Sequence, residues 1–235
     1  MNSDFLNRRI VDLSHPLNPS APCWPGDPVP EFETLAHPDT DGFFLRRFSL
    51  GEHTGTHVNA PASFHPGGAS IDEYPPSSFV VPAIVIDARP RALANPDYRL
   101  GVNVLLEWER DHGPIPAQCL AIFRSGWEER WTDLEAYLGL EEDGSLNFPG
   151  FSAEATGVLL TQRGVAGIGI DTHGVDGGRD TDFSINRRVL ERKRLVLENL
   201  CNLDQLPPTG TMLVIGILRL EGGSGSPASV LAFVP

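Results

Sequence analysis

This chain of 235 residues is poor in cysteine, in positive charge and in long apolar runs. Its three cysteines, Cys23, Cys119 and Cys201, are odd in number and far apart, which excludes a disulfide framework and a paired-thiolate zinc site. A formal net charge of −13 argues against a broad surface for nucleic acid. No stretch approaches the ~18 apolar residues of a membrane helix, and the amino terminus has no signal-peptide pattern. We therefore expect a cytoplasmic protein that binds neither nucleic acid nor a membrane.

The length suits one domain over residues 1–235, with a substantial core. Apolar runs predict strands at 9–14, 43–50, 83–87, 117–123, 165–170, 213–220 and 229–234, and helices at 102–112 and 153–163. Both faces of the strand at 43–50 are partly apolar, which predicts that it is covered on each side. The order strand, helix, strand over 117–170 indicates a crossover unit. We predict a single-domain α/β fold with a mixed, partly parallel sheet flanked by helices.

Residues 51–74, GEHTGTHVNAPASFHPGGASIDEY, concentrate the side chains that can do chemistry. This segment contains His53, His57, Asn59, Ser63 and His65. A glycine between two threonines and a proline just beyond favour a strand end that runs into a constrained loop over a helix, so we predict a loop-borne site on a rigid scaffold. Two imidazoles with an oxygen ligand nearby suit a catalytic metal that keeps one position open for water.

A second polar group follows the predicted strand at 165–170. Asp171, His173 and Asp176 could hold a cation, orient another histidine, or cap a glycine-rich turn. We assign Asp171 and His173 to the site and Asp176 to the turn. Glu198 lies in an apolar run, where an unpaired carboxylate costs several kcal/mol, so it needs a metal, a histidine or an arginine as its partner.

Residues 53–63, HTGTHVNAPAS, resemble the signature HxGTHxDxPxH of the cyclase family of metal-dependent hydrolases, which includes bacterial kynurenine formamidase (arylformamidase) and isatin hydrolase. Further blocks resemble the family in the same order, at 10–17 with 22–28, 124–127, 197–203 and 222–227. The resemblance implies a swivelling β/β/α-like fold and a hydrolase that opens a C–N bond of a cyclic or aryl amide or formamide. It also implies a small-molecule substrate and a homodimer or homotetramer.

The resemblance further implies metal ligands at His53, His57, Asn59 and Glu198. Three family positions differ: the aspartate is Asn59, one histidine is Ser63 and another is Asn186. An amide oxygen can still coordinate, but the cation loses a full countercharge, which disfavours a two-metal site. We therefore expect one divalent ion, zinc or manganese.

With a metal bound, the expected chemistry is attack by metal-activated water on a carbonyl. The proton would be carried by His65, which lies two residues beyond Ser63, or else by His173. Ser63 itself occupies the position at which the family has a histidine for this role. Trp24, Phe64 and Trp127 could form an apolar slot for a planar ring, and the alternative is core packing, which we favour for Trp127.

The sequence leaves two alternatives open. The histidine cluster could work without a metal, as a cyclase, dehydratase or lactone hydrolase. The chain could also be a degenerate family member that only binds a small molecule.

Overall fold

The computed structural model describes residues 7–235, so the first six residues, to which the expectation of no signal peptide applies, lie outside it. The strands are β1 Arg9–Asp12, β2 Glu31–Ala36, β3 Leu45–Ser49, β4 His57–Asn59, β5 Val80–Asp87, β6 Arg99–Leu100, β7 Leu120–Arg124, β8 Gly150–Phe151, β9 Gly167–Ile170, β10 Leu195–Glu198, β11 Thr211–Ile217 and β12 Gly225–Val234. The α-helices are α1 Pro38–Asp41, α2 Arg89–Ala94, α3 Val102–His112, α4 Leu134–Leu138, α5 Ala153–Val158 and α6 Ser184–Val189. No helix within 7–235 is long and apolar enough to cross a membrane.

Eight strands form one sheet in the order β1, β12, β11, β5, β7, β9, β10, β4. Strand β4 also pairs with β12, so the sheet closes on itself as a barrel. The neighbours β5, β7, β9 and β10 run parallel, and the remaining pairs are antiparallel. This arrangement confirms the predicted α/β fold with a mixed, partly parallel sheet.

Side chains alternate between the two faces of the sheet, as strand geometry requires. On β7, Ala121 and Phe123 pack with the helices outside the barrel, whereas Leu120 and Ile122 point into its interior. Helix α3 buries Val104, Leu105 and Trp108, whose spacing matches one helical face. The predicted helix at 153–163 is α5 continued by a π-helical turn at Leu159–Arg163, and Gly164 ends it with a φ of 64°.

The prediction that residues 43–50 form a strand covered on both faces is wrong. Strand β3 pairs with β2 in a separate two-stranded hairpin, and all five of its residues are exposed. The partly apolar pattern instead leaves Phe43, Phe44 and Phe48 each more than half exposed. The alternation of apolar residues shows that the segment is partly apolar, but it does not show whether another part of the chain packs against it.

The prediction of a loop-borne site is only partly right. Residues 57–59 form the buried strand β4, and turns occupy most of the remaining segment 51–74. Pairing with β10 on one side and β12 on the other fixes these three residues in extended form, despite the glycine and proline nearby. The site is therefore built into the barrel wall.

Candidate active site

The closure of the barrel brings three distant segments together. In the β4–β10 pair, Glu198 lies opposite His57 and Val196 lies opposite Asn59. On the other side of β4, Gly225 lies opposite Asn59. Because residues two apart on a strand share a face, His57 and Asn59 both point toward the same polar cluster.

His57 and Glu198 form a buried ion pair. His57 Nε2 lies 3.1 Å from Glu198 Oε2, and His57 Nδ1 lies 2.8 Å from the carbonyl oxygen of Gly55. Each ring nitrogen thus lies within hydrogen-bonding distance of an acceptor, and Asn199 Nδ2 also lies 3.4 Å from His57 Nδ1. Burial alone would raise the pKa of Glu198, but the hydrogen bond and charge of His57 outweigh it and lower that pKa to about 2.

Two asparagine side chains connect this ion pair to the rest of the cluster. Asn59 Nδ2 donates to Glu198 Oε2 at 2.8 Å and to Asn186 Oδ1 at 3.0 Å. Asn186 Nδ2 donates to Glu198 Oε1 at 2.9 Å and to Asp176 Oδ2 at 2.7 Å. Both amide nitrogens are thus used as donors between acceptors, which fixes the orientation of each amide.

His53 lies at the end of this network. Its Nδ1 is 2.8 Å from Asn59 Oδ1 and its Nε2 is 3.0 Å from Ser224 Oγ. Because Asn59 presents its oxygen, His53 carries a proton on Nδ1. Burial lowers the pKa of His53, and the nearby His57, with ring centroids 5.2 Å apart, lowers it further.

A cavity of about 300 Å³ opens above the cluster. Its aromatic walls are Trp24, Phe64, Phe148 and Phe183, with centroid distances of 5.7 Å between Trp24 and Phe183 and 5.5 Å between Phe64 and Phe183. The polar residues of its lining include His53, His57, Asn59, Ser63, His173, Asp176, Asn186, Glu198 and Ser224. The site thus combines flat apolar walls with a polar floor.

His173 contributes a buried nitrogen to this cavity. Burial lowers the pKa of His173 to about 4, so its ring is neutral near neutral pH. Its Nε2 has no hydrogen-bond partner among residues 7–235, and Trp24 covers the ring edge-on at 5.5 Å. A buried polar atom of this kind is available to a ligand or to water.

The donor set does not fit the divalent metal that the resemblance implies. Within residues 7–235, no group of three or more His, Cys, Asp or Glu side chains is arranged to hold a metal ion. The backbone N–H of Val175 also donates to Glu198 Oε1, at 2.9 Å, so each carboxylate oxygen already accepts two hydrogen bonds. Glu198 has about four acceptor positions in all, and protein donors fill them.

The structure brings most of the predicted site residues to the cavity, including His53, His57, Asn59, Ser63, His173, Glu198, Trp24 and Phe64. Three lie elsewhere in the described chain: His65, Trp127 and Asp171. His65 Nε2 is 2.8 Å from the carbonyl oxygen of Arg187, away from the cavity wall. Trp127 is fully buried in the core, where its Nε1 donates to the carbonyl oxygen of Tyr137 at 2.7 Å.

The structure places Asp171 at a turn and Asp176 at the cavity, where Asp176 also accepts hydrogen bonds from the backbone N–H groups of Ile185 and Asn186. Asp171 accepts hydrogen bonds from the backbone N–H groups of Ser125, Gly126 and Trp127, so it holds the turn after β7. Asp176 lines the cavity, and burial raises its pKa to about 6. Both carboxylates follow the same strand, so the sequence offered no basis for telling them apart.

Sequence reasoning missed Phe148, Phe183 and Ser224 as lining residues. The two phenylalanines lie in segments with no motif. Ser224 had a signal, because it lies within segment 222–227, which resembles the last of the family's blocks.

A family model described as "Putative cyclase" matches residues 11–177. Isatin hydrolase of Roseibium aggregatum is 32% identical, covering 96% of this chain and 92% of that protein. Kynurenine formamidase of Salinibacter ruber is 27% identical, covering 93% and 94%. The structure of isatin hydrolase A from Ralstonia solanacearum has a TM-score of 0.91 at 38% identity and covers 97% and 93%.

The chain belongs to the cyclase family, and it is an enzyme of that family's hydrolase type. A second isatin hydrolase A, from Labrenzia aggregata and bound to benzyl benzoate, has a TM-score of 0.89 at 34% identity and covers 96% and 93%. A structure described as a potential metal-dependent hydrolase with cyclase activity has a TM-score of 0.73 at 20% identity, a likeness that shows the fold alone.

Proposed function

We propose that this enzyme hydrolyses a C–N bond of a small planar cyclic or aryl amide or formamide. The observation that supports this is the cavity itself, in which aromatic walls stand over a floor of imidazole, amide and carboxylate groups. Its volume of about 300 Å³ is at the lower end for ligand sites, which suits one ring or two fused rings. Isatin hydrolase and kynurenine formamidase, the relatives named above, agree with that substrate class.

The aromatic residues bind and orient the substrate in this proposal. Trp24 and Phe64 contribute flat apolar surface, and Phe183 lies between them. Such surfaces favour stacked or edge-on contacts with a planar ring. The free Nε2 of neutral His173 accepts a hydrogen bond from the amide N–H and so fixes which edge of the ring faces the floor.

The test is a panel of isatin, N-formylkynurenine, formanilide and an aryl ester, assayed with protein purified without a histidine tag. We expect turnover of at least one amide, and substitution Trp24→Ala to raise KM. Binding of a panel amide without turnover would replace this proposal with a ligand-binding role. An enzyme that cleaves only the ester would move the reaction to the C–O bond.

We also propose that the enzyme is a homodimer formed through the hairpin of β2 and β3. An isolated two-stranded sheet is marginally stable in water. Phe48 of this sheet is exposed, and so are Phe43 and Phe44 just before β3. Light scattering at micromolar concentration should give twice the mass of the chain, and Phe44→Glu should halve it. A wild-type monomer would refute the proposal.

A further inference from the structure

Ser224 lies on the loop between β11 and β12 and faces the cavity. Its Oγ is 3.0 Å from His53 Nε2, within the distance that a nucleophile and its general base require. The hydroxyl is also 2.6 Å from Glu52 Oε2, and the backbone N–H of Ser224 donates to the same carboxylate oxygen at 2.8 Å. The single hydroxyl proton therefore has two acceptors in reach without any movement of the side chain.

The asparagine network determines which face of His53 is basic. Asn59 Nδ2 donates to Asn186 Oδ1 and to Glu198 Oε2, so its oxygen is the atom that meets His53 Nδ1. A neutral His53 then carries its proton on Nδ1 and directs the lone pair of Nε2 toward Ser224 Oγ. Nucleophile, base and orienting group follow in the order found in serine and cysteine hydrolases, some of which use asparagine as the orienting group.

The backbone around Ser224 is shaped to allow this contact. A Cβ atom at Gly225 would lie 2.6 Å from His53 Cε1, so only glycine lets the ring lie against the loop. The pairing of Gly225 with Asn59 places the loop beside the orienting amide. Gly223, which precedes Ser224, is close to Glu52 in the same way: a Cβ atom at this position would lie 3.1 Å from Glu52 Oε1.

We propose that Ser224 is the nucleophile of this enzyme, with His53 as its base and Asn59 as the residue that orients the base. This inference rests on the proposed amide hydrolysis. It assigns the bond-forming step to a side chain at a site where the described residues do not fit the family's metal.

The reaction balances with water as the only co-reactant. Ser224 Oγ attacks the carbonyl carbon while His53 Nε2 takes the hydroxyl proton. The C–N bond breaks, and His53 returns that proton to the leaving nitrogen, which leaves an ester on Ser224. Water then adds to the ester carbonyl as His53 takes its proton, the ester C–O bond breaks, and the proton returns to Ser224 Oγ.

The test uses a fluorophosphonate, which labels an activated serine without needing the natural substrate. We expect one adduct per chain by intact mass, mapped to Ser224 by peptide sequencing, and formed equally in EDTA. Ser224→Ala should remove the adduct and retain a normal thermal melt. His53→Gln should slow labelling by about 100-fold or more, the scale of general-base assistance. The exposed Ser77→Ala is the matched serine control and should label like the wild type.

The outcomes separate this inference from the proposed function. Amide turnover that survives Ser224→Ala, with no adduct on Ser224, overturns the nucleophile and leaves the hydrolase intact. Labelling of Ser224 with no turnover of any panel amide supports the nucleophile and overturns the substrate class. Labelling at unchanged rate in His53→Gln overturns the assignment of His53 as the base.

Discussion

Substitution Asn59→Asp tests whether the polar cluster is built for hydrogen bonds and not for a cation. It replaces the amide nitrogen with a carboxylate oxygen 2.8 Å from Glu198 Oε2. Two unit charges at that distance repel by about 6 kcal/mol at an effective dielectric constant of about 20. Protonation of one carboxyl limits the cost near neutral pH to about 4 kcal/mol, which is about three pH units at 1.36 kcal/mol each.

The expected result is a large loss of stability that depends on pH and on cations. In EDTA near neutral pH, the melting temperature of Asn59→Asp should fall by about 8–16 °C, at about 2–4 °C per kcal/mol for a chain of this size. The loss should shrink at pH 5, because protonation of the new carboxyl then costs only about 1–2 kcal/mol. Saturating manganese or zinc should restore about 3 kcal/mol at about 100 times its dissociation constant, because the variant offers a cation a second carboxylate beside Glu198.

The matched control is Asn18→Asp, an exposed asparagine whose side chain accepts a hydrogen bond from the backbone N–H of Ser20, as an aspartate also can. It should change the melting temperature little and should not respond to cations. An Asn59→Asp protein as stable as the wild type in EDTA would show that the amide is not needed beside Glu198.

Three further substitutions address other parts of the structure. Burial and the nearby Asp171 raise the pKa of Glu128 to about 7, so the stability that protonated Glu128 contributes is lost as the pH rises from about 4.5 through 7. Glu128→Gln should therefore increase the free energy of unfolding by about 1–2 kcal/mol at pH 8, after discounting for solvent screening, and should leave it unchanged at pH 4. Urea unfolding at the two pH values measures both effects. Gly225→Ala should slow labelling of Ser224 more than 10-fold, since the new methyl group would lie 2.6 Å from His53 Cε1 and 2.7 Å from the carbonyl oxygen of Val58. An unchanged rate would contradict this geometry. Trp24→Ala should raise KM with little change in kcat, because a cavity wall binds substrate and transition state alike, and a selective fall in kcat would argue against that role.

Local patterns predicted the elements that make local contacts. Helix α3 was predicted with its observed limits, because its apolar spacing and the following glycine and proline are encoded within a dozen residues. The hairpin strand β3 was predicted as a strand, but its exposure depends on a partner strand and on the remaining surface. Strand β4 has only three residues, and its conformation follows from pairing with strands more than 100 residues away.

The sequence predicted many of the residues of the site, but it did not predict the hydrogen bonds between them. The histidine pair, Asn59 and Glu198 were identified because polar groups of this kind are rare together or costly in an apolar run. The replacements at Asn59 and Asn186 were read as the weakening of a metal site, whereas the structure shows two amides that donate to the same carboxylate. That relation needs the folded barrel, as does the contact between Ser224 and His53.

The closure of the barrel at β4 determines when the active site forms during folding and when it is lost during unfolding. Residues 57–59 meet residues 196–198 on one side and 225–227 on the other, so no shorter fragment of the chain carries a complete site. Activity should therefore appear during refolding only once β4 has paired with both β10 and β12. As the denaturant concentration rises, loss of activity should coincide with the separation of β4 from its partner strands. A species in which these strands have separated should be inactive.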